Sequence, residues 1–246
     1  MNIVGLDESG KCPVIGSIFL AAVKFEKNEL KRFRGIRECK CYSQKRIQEL
    51  AKEIRKHILF KTAEITAEEI SKSSNLNDLE MFKACKLIEH FYEPGITIVV
   101  DNWEVSRKMF MKRLKRIDLS LWKRIQDKEC QLVLVHNCER IRRSKPVIYK
   151  AIALASIIAK QLRDSQMIEL DKKYGIGFGN PNEWKSRHFI LKCIRKELDE
   201  EARKLVRWNW QTIEKVKSHP EWYEDGTEEW YNKTKKQVRE MFREEQ

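Results

Sequence analysis

Two short β-branched runs that end in acids constrain this chain most. Residues 3–6 run into Asp7-Glu8, and residues 96–100 run into Asp101. Carboxylates are poor strand residues, and one abutting an apolar strand costs desolvation unless something compensates it. The first run turns at Ser9-Gly10 and resumes as a second apolar run, so residues 2–23 are expected to form a strand, a tight turn and a partner strand. Regular strand geometry points Asp7 and Glu8 to opposite faces, but twist relaxes this at a strand end, where sites are usually built.

Helical spacing fills the interval between these runs. Ile47, Leu50, Ala51, Ile54 and Ile58 form one stripe behind Ser43 as N-cap. A short strand is expected at 61–66. A helix then opens at Asn75 or Asn77, carries Met81, Cys85, Ile88 and Tyr92 on one face, and stops at Pro94-Gly95. Strand, helix, then strand ending in an acid is the rhythm of an α/β domain. Beyond Asp101 the pattern predicts a basic helix over 104–128 with Phe110, Leu114, Ile117 and Leu121 on one face, a strand at 131–135, and a long apolar helix over 147–170. A loop with Gly175, Gly177, Gly179 and Pro181 leads to a helix near 183–199. The charged remainder reads as mostly helical, and Trp208, Trp210, Trp222 and Trp230 read as anchors that pin it.

Charge narrows the functional classes. The 246 residues carry a net charge of +13, a surplus that attracts polyanions, nucleic acid first among them. Basic residues concentrate in 107–128 and in 140–163, where phosphate contacts and a solvated face are both open readings. The seven cysteines are odd in number and scattered, and Cys39-x-Cys41 lacks the usual zinc-knuckle spacer, so reduced intracellular thiols are expected. No apolar run reaches membrane-spanning length and no cleavable signal pattern opens the chain, which points to a cytoplasmic protein with no membrane partner. His136, His188 and His219 lack ligand-like spacing. No serine or cysteine has an identifiable base and orienting partner, which argues against a covalent nucleophile. Arg163-Asp164 reads as a structural ion pair. The strand-end acids have two open readings: pairing with the abundant Lys and Arg, or holding a hard cation such as Mg²⁺ or Mn²⁺ that activates water against a phosphodiester.

Several motifs, in order over residues 1–212, resemble the ribonuclease HII family, most closely its archaeal form. GLDESGKCPVIG is similar to the family's G-[IV]-D-E-[AS]-G-R-G-P-[VL]-x-G, and GIRECKCYSQKR to its G-V-x-D-S-K-K-L-[ST]-x-x-[KR]. SNLNDLE resembles its asparagine-leucine-asparagine helix start, and VVDNW its second strand-end aspartate. ALASIIAKQLRDSQM resembles A-A-S-I-x-A-K-x-x-R-D-x-x-M, while YGIGFG and VRWNWQT resemble Y-G-x-x-F-G and V-R-x-[TS]-W-x-T. The resemblance implies an α/β ribonuclease H-like core, a mixed sheet flanked by helices, over 1–180, with a C-terminal helical substrate-binding appendage over 181–246. It implies a monomeric endonuclease that cleaves the RNA strand of RNA–DNA hybrids, or duplex DNA at embedded ribonucleotides. Its cofactor would be Mg²⁺ or Mn²⁺, and its products would end in 5′-phosphate and 3′-hydroxyl. Three of the family's four metal-binding carboxylates match Asp7, Glu8 and Asp101, which also become the catalytic residues. Gly10, Lys11, Cys12, Lys40, Lys145 and Lys160 match or flank positions expected to contact nucleic acid.

Three departures fall on functional positions, and a further one changes the aspartate-serine-lysine motif. The fourth carboxylate lies nine residues before Ala155 in the family pattern, and Pro146 stands there; Glu139 is a candidate stand-in. Gly10-Lys11-Cys12 replaces G-R-G, putting a Cβ where glycine permits close approach. Phe178-Gly179-Asn180 lacks the tyrosine that stacks on the sugar at the junction, and Trp184 is the available aromatic nearby. Glu38-Cys39-Lys40 stands for aspartate-serine-lysine. Two readings follow: an active metal-dependent nuclease, or a catalytically impaired protein of the same fold that binds nucleic acid without cutting it.

Overall fold

The computed structural model describes the backbone of residues 2–136 and 141–244. Five strands form one sheet: β1 (Asn2–Ser9), β2 (Ile18–Glu26), β3 (Leu59–Ile65), β4 (Thr97–Asp101) and β5 (Gln131–Val135). Their order is β3-β2-β1-β4-β5; β1 pairs antiparallel with β2 and parallel with β4, and β4 pairs parallel with β5. The sheet is therefore mixed, as expected of an α/β ribonuclease H-like core. Ten described helices accompany it: α1 (Gln44–His57), α2 (Ala67–Lys72), α3 (Leu76–Phe91), α4 (Arg107–Ile117), α5 (Leu119–Gln126), α6 (Pro146–Tyr174), α7 (Trp184–Ile194), α8 (Glu200–Arg203), α9 (Gln211–Ser218) and α10 (Glu228–Glu244).

Local chemistry explains the element ends. Ser43 accepts a hydrogen bond from the Arg46 N–H and so caps α1, and Asn75 caps α3 through the Asp78 N–H. The basic stretch expected as one helix is two, because Asp118 leaves helical geometry and its carboxylate accepts the Leu121 N–H, starting α5. Phe110, Leu114 and Leu121 are still buried. The expected tight turn after β1 is instead an eight-residue connection from Gly10 to Ser17, and α2 falls where no helix was expected. Pro146 opens α6, where its missing N–H has no intrahelical acceptor to lose.

The chain forms two compact units. Unit 1 comprises residues 1–11, 18–65 and 73–164. Its main core joins Ile3, Val23 and Val99 of the sheet to Ile47, Leu50 and Ile54 of α1 and to Tyr149, Ile152 and Ile157 of α6. Val4 and Leu6, which alternate to the other face, are equally buried, and α3 packs on β1, β2 and β3. Gly5 permits the tightest approach in this unit: a Cβ there would lie 2.2 Å from the Ala151 carbonyl oxygen of α6.

Unit 2 comprises residues 12–17, 66–72 and 165–246. Arg207, fully buried, donates through Nε to the Gly16 carbonyl at 2.8 Å, and its backbone N–H donates to the Val14 carbonyl at 2.9 Å. Val14, Ile15, Ile176, Phe189, Val206 and Tyr223 belong to one apolar core. Trp208 and Trp210 pack against this core as the expected anchors, Trp208 donating to the Arg203 carbonyl, whereas Trp222 and Trp230 are exposed and meet each other with ring centroids 6.3 Å apart.

Candidate active site

The sheet register brings the two strand-end acids together. Leu6 of β1 is opposite Val100 of β4, so Asp7 and Asp101 are the next residues at the C-terminal ends of adjacent parallel strands. Such strands are about 4.8 Å apart. By alternation both acids lie on the face of Gly5 and Val99, the face covered by α6, while Glu8 alternates toward α3. The carboxyl ends of parallel strands are where open α/β sheets place their ligands.

These acids carry their charge at a cost. Asp7 is only 6% exposed, and its Oδ1 accepts the Glu8 N–H at 2.8 Å. Burial, and then the charges of Glu8 and Asp101, push its carboxyl well above the ordinary aspartate range. Asp101 is pushed up to about 6, by burial first and then by Glu8 and Glu38, with Lys40 and the Asn102 N–H opposing. Among the described residues no Lys, Arg or His forms an ion pair with Asp7, Glu8 or Asp101, although the chain has 50 Lys and Arg. Pairing with the basic surface therefore does not neutralise them.

That donor set fits a hard divalent cation: anionic oxygens only, partly desolvated, mutually repelling and unneutralised. As the side chains stand, no three His, Cys, Asp or Glu among the described residues converge closely enough to ligate one ion. Glu139 lies outside the described residues. Pro146 contributes no oxygen ligand through its side chain.

The remaining sequence candidates are dispersed. Gly10 has φ of 102°, a left-handed turn that a side chain would strain. Lys11 reaches Glu80 Oε2 at 2.8 Å and Asn77 Oδ1 at 3.1 Å. Cys12 is exposed and its φ is not positive, so its Cβ adds no backbone strain. Lys40 is 84% exposed and pairs with Glu38 at 3.0 Å. Lys145 is exposed, whereas Lys160 pairs with Asp164, which also receives Arg163 Nη1 at 3.0 Å.

Further polar residues lie around these acids, Glu38 among them at the position where the family motif has aspartate. Glu38 has a side chain only 14% exposed and its charge acts on Asp101. Asn102 and His136, at the ends of β4 and β5, meet at 2.7 Å between Nδ2 and Nε2. Glu80 is fully buried, its Oε1 lacks a hydrogen-bond partner, and burial raises it to about 7 despite Lys11. Glu104, also buried, pairs with Arg113. Glu80 and Glu104 are poor candidates by composition alone, since helix and loop acids are usually exposed.

A mixed five-stranded sheet with carboxylates at the ends of neighbouring parallel strands places the molecule in the ribonuclease H-like class. Solved structures share the fold: ribonuclease H2 from Pyrococcus horikoshii matches with a TM-score of 0.70 and 22% identity over 89% of this chain and 98% of that one. Bst-RNase HIII in complex with Mn²⁺ matches at 0.69 and 16%, over 89% and 70%. The family model for ribonuclease HII matches residues 4–213. The ribonuclease HII of Methanosarcina acetivorans is 30% identical over 229 residues, covering 90% of this chain and 98% of the relative. That of Methanococcus maripaludis is 30% identical over 85% and 84%. The chain belongs to the ribonuclease HII family, whose members are endonucleolytic hydrolases.

Proposed function

We propose that this protein is a divalent-metal-dependent endonuclease that cuts the RNA strand of RNA–DNA hybrids, or duplex DNA at embedded ribonucleotides. It works with Mg²⁺ or Mn²⁺, as a cytoplasmic monomer. Residues 1–180 supply the catalytic core and residues 181–246 a helical region that handles substrate. The observation that carries this reading is the adjacency of Asp7 and Asp101 on neighbouring strand ends, Asp7 buried and Asp101 half-buried, with neither in a salt bridge among the described residues.

Asp7, Glu8 and Asp101 would hold the cation, with their oxygens fixed by the sheet rather than by mobile loops. When bound, the ion stabilises charge on the scissile phosphate and lowers the pKa of water. Hydrolysis adds water across the phosphodiester: a new P–O bond forms, the bond to the ribose 3′-oxygen breaks, and that oxygen leaves with a proton. Lys40 and Lys145 are exposed cations suited to phosphate contact, and Lys11 is held by Glu80 beside the Gly10 turn. Gly10 and Cys12 flank that lysine, and Lys160 joins the set if nucleic acid draws it from Asp164.

One observation favours the rival reading, binding without cleavage: no three described acids converge, and Pro146 replaces an expected ligand. Incubation of the purified protein with a hybrid duplex and with a single-ribonucleotide duplex, in Mg²⁺, Mn²⁺ and excess chelator, separates the two. Cleavage that needs metal supports the nuclease. Salt-sensitive binding with no cleavage in either metal establishes the rival.

A further inference from the structure

Glu80 is a fully buried carboxylate to which the proposed chemistry gives no task. We propose that Glu80 is a positioning residue, which with Asn77 holds the Lys11 ammonium where it meets a backbone phosphate of bound nucleic acid. The inference rests on the nucleic-acid reading above.

The first support is the hold itself. Lys11 Nζ donates to Glu80 Oε2 at 2.8 Å and to Asn77 Oδ1 at 3.1 Å. Asn77 and Glu80 are three residues apart on α3, so both acceptors rise from one face of a helix that packs on β1. Glu80 Oε1 has no hydrogen-bond partner, and Oε2 is the oxygen that Lys11 takes, so the lysine is what offsets the buried charge.

The second support is the asymmetry of the pair. The Glu80 side chain is 0% exposed and the Lys11 side chain 33%. A buried anion thus grips a lysine that keeps a third of its surface in water. Stability does not account for this. A turn lysine loses rotamer freedom when it is restrained, and a carboxylate buried to restrain it returns little net stability. What the pair supplies is a cation fixed in place before substrate arrives.

The third support is location. Lys11 follows Gly10, whose φ of 102° turns the chain at the end of β1. It is four residues past Asp7, so the two Cα atoms lie within about 14 Å even at full extension. That is the rise of about four nucleotides along one strand. On the other side, Asn77 Nδ2 donates to Glu104 Oε1 at 3.3 Å, and the Glu104 N–H donates to Asn102 Oδ1 at 3.0 Å. Asn102 follows Asp101, and buried Glu104 is further held by Arg113. One chain of polar contacts therefore runs from the turn after β1, across α3, to the end of β4.

Binding of an RNA–DNA hybrid to the full-length protein in excess chelator, followed by fluorescence anisotropy across a salt series, tests the assignment. Lys11→Met is expected to weaken binding about tenfold and to lower the slope of log K against log salt by about one phosphate contact. Lys11→Arg, which keeps the charge, is expected to keep the slope. Glu80→Gln is expected to weaken binding about threefold to tenfold, the scale of immobilising one long side chain on binding. In the Lys11→Met background, Glu80→Gln is expected to weaken it no further. Unchanged or tighter binding in Glu80→Gln overturns the inference, because the carboxylate would then at most mask the lysine. An unchanged slope in Lys11→Met, or additive losses in the double variant, overturns it as well. Thermal unfolding of each variant, with Glu80→Asp as a shorter substitute if glutamine prevents folding, separates lost positioning from misfolding. Cleavage in Mg²⁺ or Mn²⁺ is read in parallel. The expected binding pattern without cleavage by wild type sinks the nuclease reading and leaves the role of Glu80 standing. Cleavage with any of the contrary binding results sinks the role of Glu80 alone.

Discussion

Gly5→Ala tests how closely β1 is built against α6. The added Cβ would meet the Ala151 carbonyl oxygen at 2.2 Å and its carbonyl carbon at 2.5 Å. Both are backbone atoms, so no side-chain rotation relieves the clash. Moving from 2.2 Å to an ordinary 3.4 Å requires the strand or the helix to retreat by about 1.2 Å. Overpacking of this kind costs about 1–3 kcal/mol, and contact with backbone puts the expected loss near about 3 kcal/mol. Gly35→Ala is the contrasting case: its φ is 77° with open space around it, so only local strain opposes it, about 1–2 kcal/mol. Urea denaturation followed by circular dichroism measures both. Because Asp7 is two residues beyond Gly5, a shift of about 1 Å should also lower cleavage by about a hundredfold in the surviving folded protein. A Gly5→Ala variant within about 0.5 kcal/mol of wild type would refute the close packing of β1 on α6.

Three further outcomes follow from buried charge. Asp7→Asn should raise the melting temperature of the metal-free protein while removing metal binding, because a neutral amide replaces a carboxylate whose ionisation burial opposes; a lower melting temperature contradicts that electrostatic account. Glu80 has a folded-state pKa of about 7 against about 4.5 unfolded, so the folded state holds its proton more tightly between those values. Its stabilising contribution is complete below about pH 4.5 and is lost as pH rises through 7, by about 3 kcal/mol. Glu80→Gln should therefore flatten the decline in stability between pH 5 and 7.5, and an unchanged slope counts against the burial of this acid. Cys39, pushed up to about 11 by burial and then by Asp7, should resist alkylation at pH 8 while exposed Cys12 reacts; rapid labelling of Cys39 by peptide mass mapping would be inconsistent with its place beside Asp7.

The sheet was legible in the sequence because its strands are compact apolar runs bounded by turn residues and acids. β5 falls at 131–135 as the pattern predicts, and Ser43 and Asn75 cap their helices as polar residues ahead of helical stripes should. Less visible was the break at Asp118, since apolar spacing continues across it and only the capping bond reveals the interruption. The connection after β1 was misjudged for a similar reason: Ser9-Gly10 marks a turn and β1 does pair with β2, but residues 12–17 hydrogen-bond within unit 2 instead of turning tightly. Asp7 and Asp101 were legible as acids spoiling strand ends, and their adjacency needed the parallel register of β1 and β4. Glu38 carried no such signal. Its placement depends on Tyr149 and Ser156, more than a hundred residues away in the chain.

The central claim, that adjacent strand-end carboxylates make this a metal-dependent nuclease, is tested most directly by single-turnover cleavage of an RNA–DNA hybrid in Mn²⁺ by wild type and Asp101→Asn. The expected result is cleavage by wild type alone, leaving 5′-phosphate and 3′-hydroxyl ends, with both proteins folded. Equal cleavage by Asp101→Asn, or persistence of wild-type cleavage in excess chelator, would contradict it.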